Sequence, residues 1–190
     1  MPFAITPLSL QGLFSVQPKV FGDARGYFME TQSSRDFLAA GLDARFVQDN
    51  ESKSRKGVLR GLHFQKKHPQ GKLVRVIFGE VFDVAVDLRG GSPSFGRWEG
   101  MRLSGELKNQ FYVPPGFAHG FLVLSEEAVF AYKCTDLYYP EDEDGIRWDD
   151  PALGIVWPEI DLPLSLSDKD ARLPAFDPMR GYFDKLGRAL

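Results

Sequence analysis

Residues 72–89 read KLVRVIFGEVFDVAVDLR, two apolar runs rich in valine, isoleucine and phenylalanine with a glycine break at FGE (78–80). The runs predict strands over 72–78 and 80–89, and a glycine-containing break favours joining them as a hairpin. Side chains alternate across a strand. Phe82, Val84, Val86 and Leu88 therefore share one face of the second run, and Val81, Asp83, Ala85 and Asp87 share the other. In an open antiparallel sheet the face with two aspartates would be the wet one. In a barrel with a polar interior it would be the inner one, and Asp83 would face a ligand.

The same texture extends outward. Further strands are predicted near 20–22, 27–32, 45–48, 57–65, 96–103, 110–113, 119–125 and 128–136, punctuated by turn residues from among 19 glycines and 13 prolines. The best helical segment is SSRDFLAAGLD (33–43), with Ser33 or Ser34 as N-cap, an acid in the first turn and Gly41 near its end. A second is expected to begin within LSLSDKDARL (164–173). Many short strands with little helix predict an all-β fold, a jelly-roll β-barrel with short peripheral helices, because a jelly roll closes most strand edges. At 190 residues the chain suits one domain over 1–190, with 1–19 and 171–190 as terminal extensions for packing or dimer arms.

Composition excludes several classes. Hydrophobic residues at 43% and charged residues at 26% are those of an ordinary globular protein and rule out wholesale disorder. No run approaches a membrane span, and MPFAITPLSLQGLFSV lacks the basic start and small-residue cleavage site of a secretory signal, so a cytoplasmic protein is expected. The net charge of -3, with scattered basic residues, argues against a nucleic-acid partner while allowing a local focus on a small anion. Cys134 is the sole cysteine, so no intrachain disulfide or thiolate metal cage is available.

The three histidines are His63, His68 and His119. His68, in KKHPQG, reads as a loop residue. His63 in GLHFQ and His119 in PPGFAHGFLVL have apolar, strand-like surroundings where an imidazole must find partners. Each alone is as readily a satisfied core histidine as a catalytic one. PPGFAH (114–119) resembles the P-x-G-x-x-H metal motif of the cupin superfamily, which independently favours the jelly roll. A metal cupin would carry further ligands beside His63, where Phe64 and Gln65 stand instead. Two histidines hold zinc or iron only with help, so no metal is expected.

A metal-free barrel with His63, Lys72, Asp83, His119 and Tyr132 has the groups to remove a proton from carbon beside a ketone. Neutral histidine is the base, lysine holds the enolate oxygen and tyrosine can return a proton. With acid and base on opposite faces of the substrate, reprotonation inverts the carbon, which is epimerisation.

Six segments carry a resemblance: VFGDARGYFMET (20–31), FVQDNESKSRKGVLRGLHFQ (46–65), GKLVRVIFGEVFDVAVDLRGGSP (71–93), VPPGFAHGFLVLSE (113–126), YKCTDLYYPEDEDGIRW (132–148) and LSDKD (166–170). In content and order the chain resembles the dTDP-4-dehydrorhamnose 3,5-epimerase family, cofactor-independent cupin-type dimers, across most of residues 20–170. The resemblance implies that His63 is the base, Tyr132 the acid on the opposite face, Lys72 the cation at the C4 enolate oxygen, with Asp83 near it. It implies that Asp170 orients His63 and stabilises its imidazolium. Ser167 and Asp170 also have the spacing of a capping box, the competing reading of that carboxylate.

Binding roles follow by the same resemblance. Arg60, Gln48, Asn50, His119 and Lys169 would contact the sugar or diphosphate, arginine offering a planar fork to phosphate. Arg25 and Glu30 would reach the nucleotide in the neighbouring subunit's site, from an N-terminal arm exchanged within a homodimer. Tyr139 and Phe28 would pack near the nucleotide ring. The implied reaction inverts C3 and C5 of dTDP-4-dehydro-6-deoxy-D-glucose to give dTDP-4-dehydro-L-rhamnose for L-rhamnose and cell-surface polysaccharide. It involves no cofactor, metal, nucleic acid or membrane. Alternatives are a relative inverting one carbon, a metal-dependent cupin enzyme and a non-catalytic sugar-binding jelly roll. Phe64, Cys134 and Asp168 stand where the family commonly has tyrosine, threonine and glutamate, and none touches the implied acid and base.

One conflict remains inside GVLRGLHFQ (57–65). Strict alternation puts Arg60 and His63 on opposite faces, whereas the implied roles need both on the substrate. A bulge or strong local twist is therefore expected at Gly61.

Overall fold

The computed structural model describes residues 2–190, and among these the frame is two facing antiparallel sheets. One runs in the order β1 (Phe3–Pro7), β2 (Phe14–Pro18), β10 (Gln110–Val113), β7 (Lys72–Phe78), β12 (Glu127–Cys134) and β5 (Gln48–Arg55). The other runs β13 (Glu143–Gly145), β6 (Leu59–Gln65), β11 (Phe117–Val123), β8 (Glu80–Asp87) and β9 (Trp98–Ser104). A separate hairpin pairs β3 (Phe21–Asp23) with β4 (Gly26–Phe28). Strands cross repeatedly between the two sheets, as in the jelly roll expected, but pairing stops at each sheet's edges rather than closing a ring.

The 72–89 segment is two strands, as its composition predicts, but not a hairpin. β7 bonds to β10 and β12, while β8 bonds to β11 and β9. The chain turns a corner at Gly79, which has φ 80° and whose Cβ would stand 2.1 Å from the Glu127 carbonyl oxygen. Sending β8 across the molecule sets the inner faces of the two runs against each other. Val74 and Val76 share the central core with Val81, Ala85, Phe111 and Phe130. A hairpin would have laid both runs in one wall and left that core without its second side.

Neither face of β8 is wet. Val84, Val86 and Leu88 pack outward against Ile146, Leu153, Tyr182 and Phe183, and Asp83 lies on the inner side. The C-terminal stretch expected as an extension thus covers the outer surface of this sheet. The N-terminal one supplies β1 and β2.

The strand expected at 45–48 is instead β5, in the polar run QDNESKSR. Gln48, Asn50 and Ser52 face the interior cavity, while Glu51 and Arg55 are exposed on the opposite side of this edge strand. Helix α1 is Ser34–Ala39, with the Ser33 hydroxyl accepting from the Asp36 N–H at 3.4 Å. The second expected helix is only a 3-10 turn over Asp170–Arg172.

Candidate active site

A cavity of about 630 Å³ opens between the sheets. The β6 bulge decides what reaches it. Register runs His119 to His63 and then Phe121 to Arg60, so a two-residue step on β11 faces a three-residue step on β6. Gly61 takes φ 113° at that point. The backbones are nearly in contact: a Cβ on Gly61 would lie 2.7 Å from the Gly120 Cα, and one on Gly120 would lie 2.5 Å from the Arg60 carbonyl oxygen. The irregularity lets Arg60 and His63 both line the cavity, as the alternation conflict required.

His63 donates its Nε2–H to Asp170 Oδ1 at 2.5 Å, which leaves Nδ1 as the imidazole's basic nitrogen. Asp170 is buried, and burial alone would raise its carboxyl. The hydrogen bond and charge of His63 outweigh this and hold it below the ordinary carboxylate range. The capping-box reading of the carboxylate is not realised, because the 3-10 turn has Lys169 at its N-cap and no side-chain cap bond. The Asp170 backbone N–H donates to the Ser167 hydroxyl at 3.1 Å, while its carboxylate goes to His63.

Facing this pair from the six-stranded sheet are Lys72 on β7 and Tyr132 on β12. Burial pushes the Lys72 ammonium down, opposed by nearby Cys134, Glu143 and Asp83. Burial pushes the Tyr132 phenol up, with Cys134 and Glu143 acting the same way and Arg60 against. Acid and base candidates thus project from opposite sheets into one volume.

His119 lines the cavity and donates Nε2–H to Asp83 Oδ1 at 2.8 Å. Asp83 itself stands behind His119 and is not part of the lining. Burial raises its carboxyl against the pull of His119 and Lys72. Arg60 is steered by β5: the Ser54 hydroxyl accepts from its Nη2 at 3.0 Å and Nε at 3.3 Å. Gln48, Asn50 and Lys169 also line the cavity, with Gln48 donating to Asn50 Oδ1 at 2.9 Å.

Not every expected residue gathers here. Arg25, Phe28 and Glu30 belong to the exposed β3–β4 hairpin and its exit, where Arg25 pairs with Asp23 and Phe28 is 65% exposed. Tyr139 stacks on His68 at 4.1 Å, and its neighbour Tyr138 is the tyrosine of that loop on the cavity. Period-two reasoning has no purchase in a loop, so nothing in YYPED separates the two.

Glu143 escaped the sequence reading altogether. It bonds Lys169, accepts from the Tyr138 hydroxyl at 2.6 Å and lies 3.8 Å from His63 Nδ1. Within the acidic turn PEDEDG it looks like a solvated charge. Only the pairing of β13 with β6, Glu143 opposite Gln65, brings it to the site.

Among the described residues, no three His, Cys, Asp or Glu side chains are grouped to hold a metal ion, and no helix is long and apolar enough to cross a membrane. Gln65, at the place of a cupin ligand, is turned to backbone groups at Leu137 and Tyr139.

Comparison with known proteins gives the family. The chain is 57% identical over 169 residues to a dTDP-4-dehydrorhamnose 3,5-epimerase from Methanothermobacter thermautotrophicus, covering 88% of this chain and 91% of that one. It is 56% identical over 172 residues to the enzyme of the same name from Pseudomonas aeruginosa, covering 90% and 94%. A solved dTDP-6-deoxy-D-glucose-3,5-epimerase from Legionella pneumophila Philadelphia 1, in complex with dTDP-4-keto-L-rhamnose, superposes with a TM-score of 0.91 at 50% identity, covering 99% of each chain. With the family model for dTDP-4-dehydrorhamnose 3,5-epimerase matching residues 7–178, this chain belongs to that family.

Proposed function

We propose that this chain is a dTDP-4-dehydrorhamnose 3,5-epimerase that inverts C3 and C5 of dTDP-4-dehydro-6-deoxy-D-glucose. The observation that carries the reading is that His63, backed by Asp170, and Tyr132 enter one cavity from opposite sheets, with Lys72 beside them. His63 takes the proton from the carbon next to the C4 ketone, and the C–H electron pair moves to form an enolate. Lys72 donates to the enolate oxygen. Tyr132, whose raised value keeps the phenol protonated at neutral pH, returns a proton to the other face. The imidazolium then loses its proton to water and the phenolate regains one, so the cycle needs no cofactor.

Arg60 and Lys169 supply donors for the diphosphate and sugar, His119 presents its second ring nitrogen, and Gln48 and Asn50 supply amides. Tyr138, rather than Tyr139, offers the aromatic face to the nucleobase. Arg25, Phe28 and Glu30 serve the second subunit of a homodimer through the exposed β3–β4 hairpin. A soluble nucleotide sugar as substrate fits a cytoplasmic enzyme acting as one domain. Mass measurement in solution at twice the chain mass supports the dimer, and a monomer removes those roles.

The deciding experiment is incubation with the dTDP-4-keto sugar in heavy water, read by proton NMR. Deuterium at both C3 and C5 is expected. Label at one carbon only makes this a single-carbon epimerase, and an unlabelled sugar overturns the proposal. His63→Ala and Tyr132→Phe should fold normally and lose about 10²- to 10⁴-fold in turnover.

A further inference from the structure

Three glutamines from separate parts of the chain converge on the 136–139 backbone. Gln65 on β6 donates to the Leu137 carbonyl at 3.1 Å and accepts from the Tyr139 N–H at 2.8 Å. Gln70, just before β7, donates to the Asp136 and Leu137 carbonyls at 2.9 and 3.0 Å. Gln48 at the start of β5 accepts from the Tyr138 N–H at 2.9 Å. A loop normally finds such partners in water or in a neighbouring strand; here side-chain amides replace them.

The loop has little else to hold it. Leu137 and Tyr138 are about half exposed, at 48% and 49%, and the inward anchor is the Tyr139 ring on His68. That anchor joins the same network, because Gln65 also donates to the His68 carbonyl at 2.8 Å. Gln65 is buried at 4% exposure, and among the described residues its side-chain bonds all go to Leu137, Tyr139 and His68. At the far end of Tyr138 the hydroxyl bonds Glu143, which pushes the phenol up to about 12. Backbone and hydroxyl are therefore both tied down while the ring lines the cavity.

We propose that Gln65, Gln70 and Gln48 are positioning residues that fix the 136–139 loop so that the Tyr138 ring stands pre-set as the stacking face for the substrate's nucleobase. The inference rests on the nucleotide-sugar reading above. Its physical content is preorganisation: a ring already held in its bound orientation loses less freedom when a base stacks on it. The Gln65 position, which in a metal cupin would supply a ligand, has been turned to substrate-binding geometry instead.

The test uses calorimetric binding of dTDP and of inorganic pyrophosphate to wild type, Gln65→Met, Gln70→Leu and the double variant, each also in a Tyr138→Ala background. The double variant should weaken dTDP binding on the order of ten-fold, each single variant less, and change pyrophosphate binding by less than about two-fold. In the Tyr138→Ala background, which itself loses on the order of ten-fold for dTDP, the glutamine changes should add less than about two-fold. In turnover KM should rise with kcat held.

Equal weakening of pyrophosphate, a dTDP loss undiminished in Tyr138→Ala, or no dTDP loss at all would each overturn the assignment. If Gln65→Met does not fold, Gln70→Leu on its partly exposed residue carries the same comparison. A wild type that binds dTDP but leaves the keto sugar unlabelled removes the reaction and keeps the clamp. A wild type that binds no dTDP removes both.

Discussion

Asp83 and Asp87 stand on the same strand and the same face, with Ala85 between them, and both have 0% exposure. Their surroundings differ in one respect. Asp87 is saturated: Arg89 donates from its backbone N–H, Nε and Nη2 at 3.0, 2.9 and 2.8 Å, and the Ser92 and Ser94 hydroxyls donate at 2.7 and 2.6 Å. Asp83 accepts one hydrogen bond, from His119, and among the described residues its Oδ2 has no partner.

Burial raises both carboxyls. At Asp87 the donors outweigh it and hold the group below the ordinary range, whereas at Asp83 the pull of His119 and Lys72 does not, and the group sits above it. Depth alone therefore does not set the direction of a buried carboxyl's shift; the filling of its lone pairs does.

Removing the saturated carboxylate should have the largest effect. Asp87→Ala leaves Arg89, whose side chain is 10% exposed, without its partner, and a loss of about 3–5 kcal/mol in urea unfolding is expected. Asp83→Asn keeps an acceptor for His119 and deletes a poorly solvated charge, so stability should change by less than about 1 kcal/mol. Its signature is in catalysis. Without that negative neighbour the Lys72 ammonium drops further, and the alkaline limb of the kcat/KM profile should move to lower pH. An Asp83→Asn protein as unstable as Asp87→Ala would break the contrast.

The smallest effect sharpens it through the sign of the pH dependence. Asp87 has a folded value below its unfolded value of about 3.9, so it contributes stability above about pH 4 that is lost as pH falls through the folded value. Asp83 has a folded value above the unfolded one, so its ionisation costs stability at neutral pH, and that cost is relieved as pH falls towards about pH 4. Unfolding followed against pH should show a shallower acid loss below about pH 4 in Asp87→Ala, and in Asp83→Asn the loss of the stability that wild type gains as pH falls towards about pH 4.

What was legible in the sequence tracks how local the cause is. The runs at 72–89 announce strands because composition and alternation are local, but whether Gly79 makes a hairpin or a corner depends on which partners lie across the molecule. β5 was missed because QDNESKSR has no apolar alternation, and its pairing with β12 is long-range. The bulge at Gly61 was foreseeable, since two residues needed on one side stood an odd step apart. The His63–Asp170 contact spans 107 residues and entered only through family resemblance. Ser167 bonds the Asp170 backbone N–H and gives no pointer to where the carboxylate goes. Tyr138 and Glu143 lay in a loop and an acidic turn, where neither periodicity nor charge points inward.

The Gly61–Gly120 contact bears on how this cavity can be re-engineered. Each missing side chain is excluded by the other strand's main chain, so no trimming of a neighbour opens space for even a methyl group at either position. Saturation libraries should return these two sites as dead ends, singly and together. Variation in substrate scope must then come from replaceable wall positions such as Ser52, while the spacing between the Arg60 and His63 arms stays a fixed dimension of the scaffold.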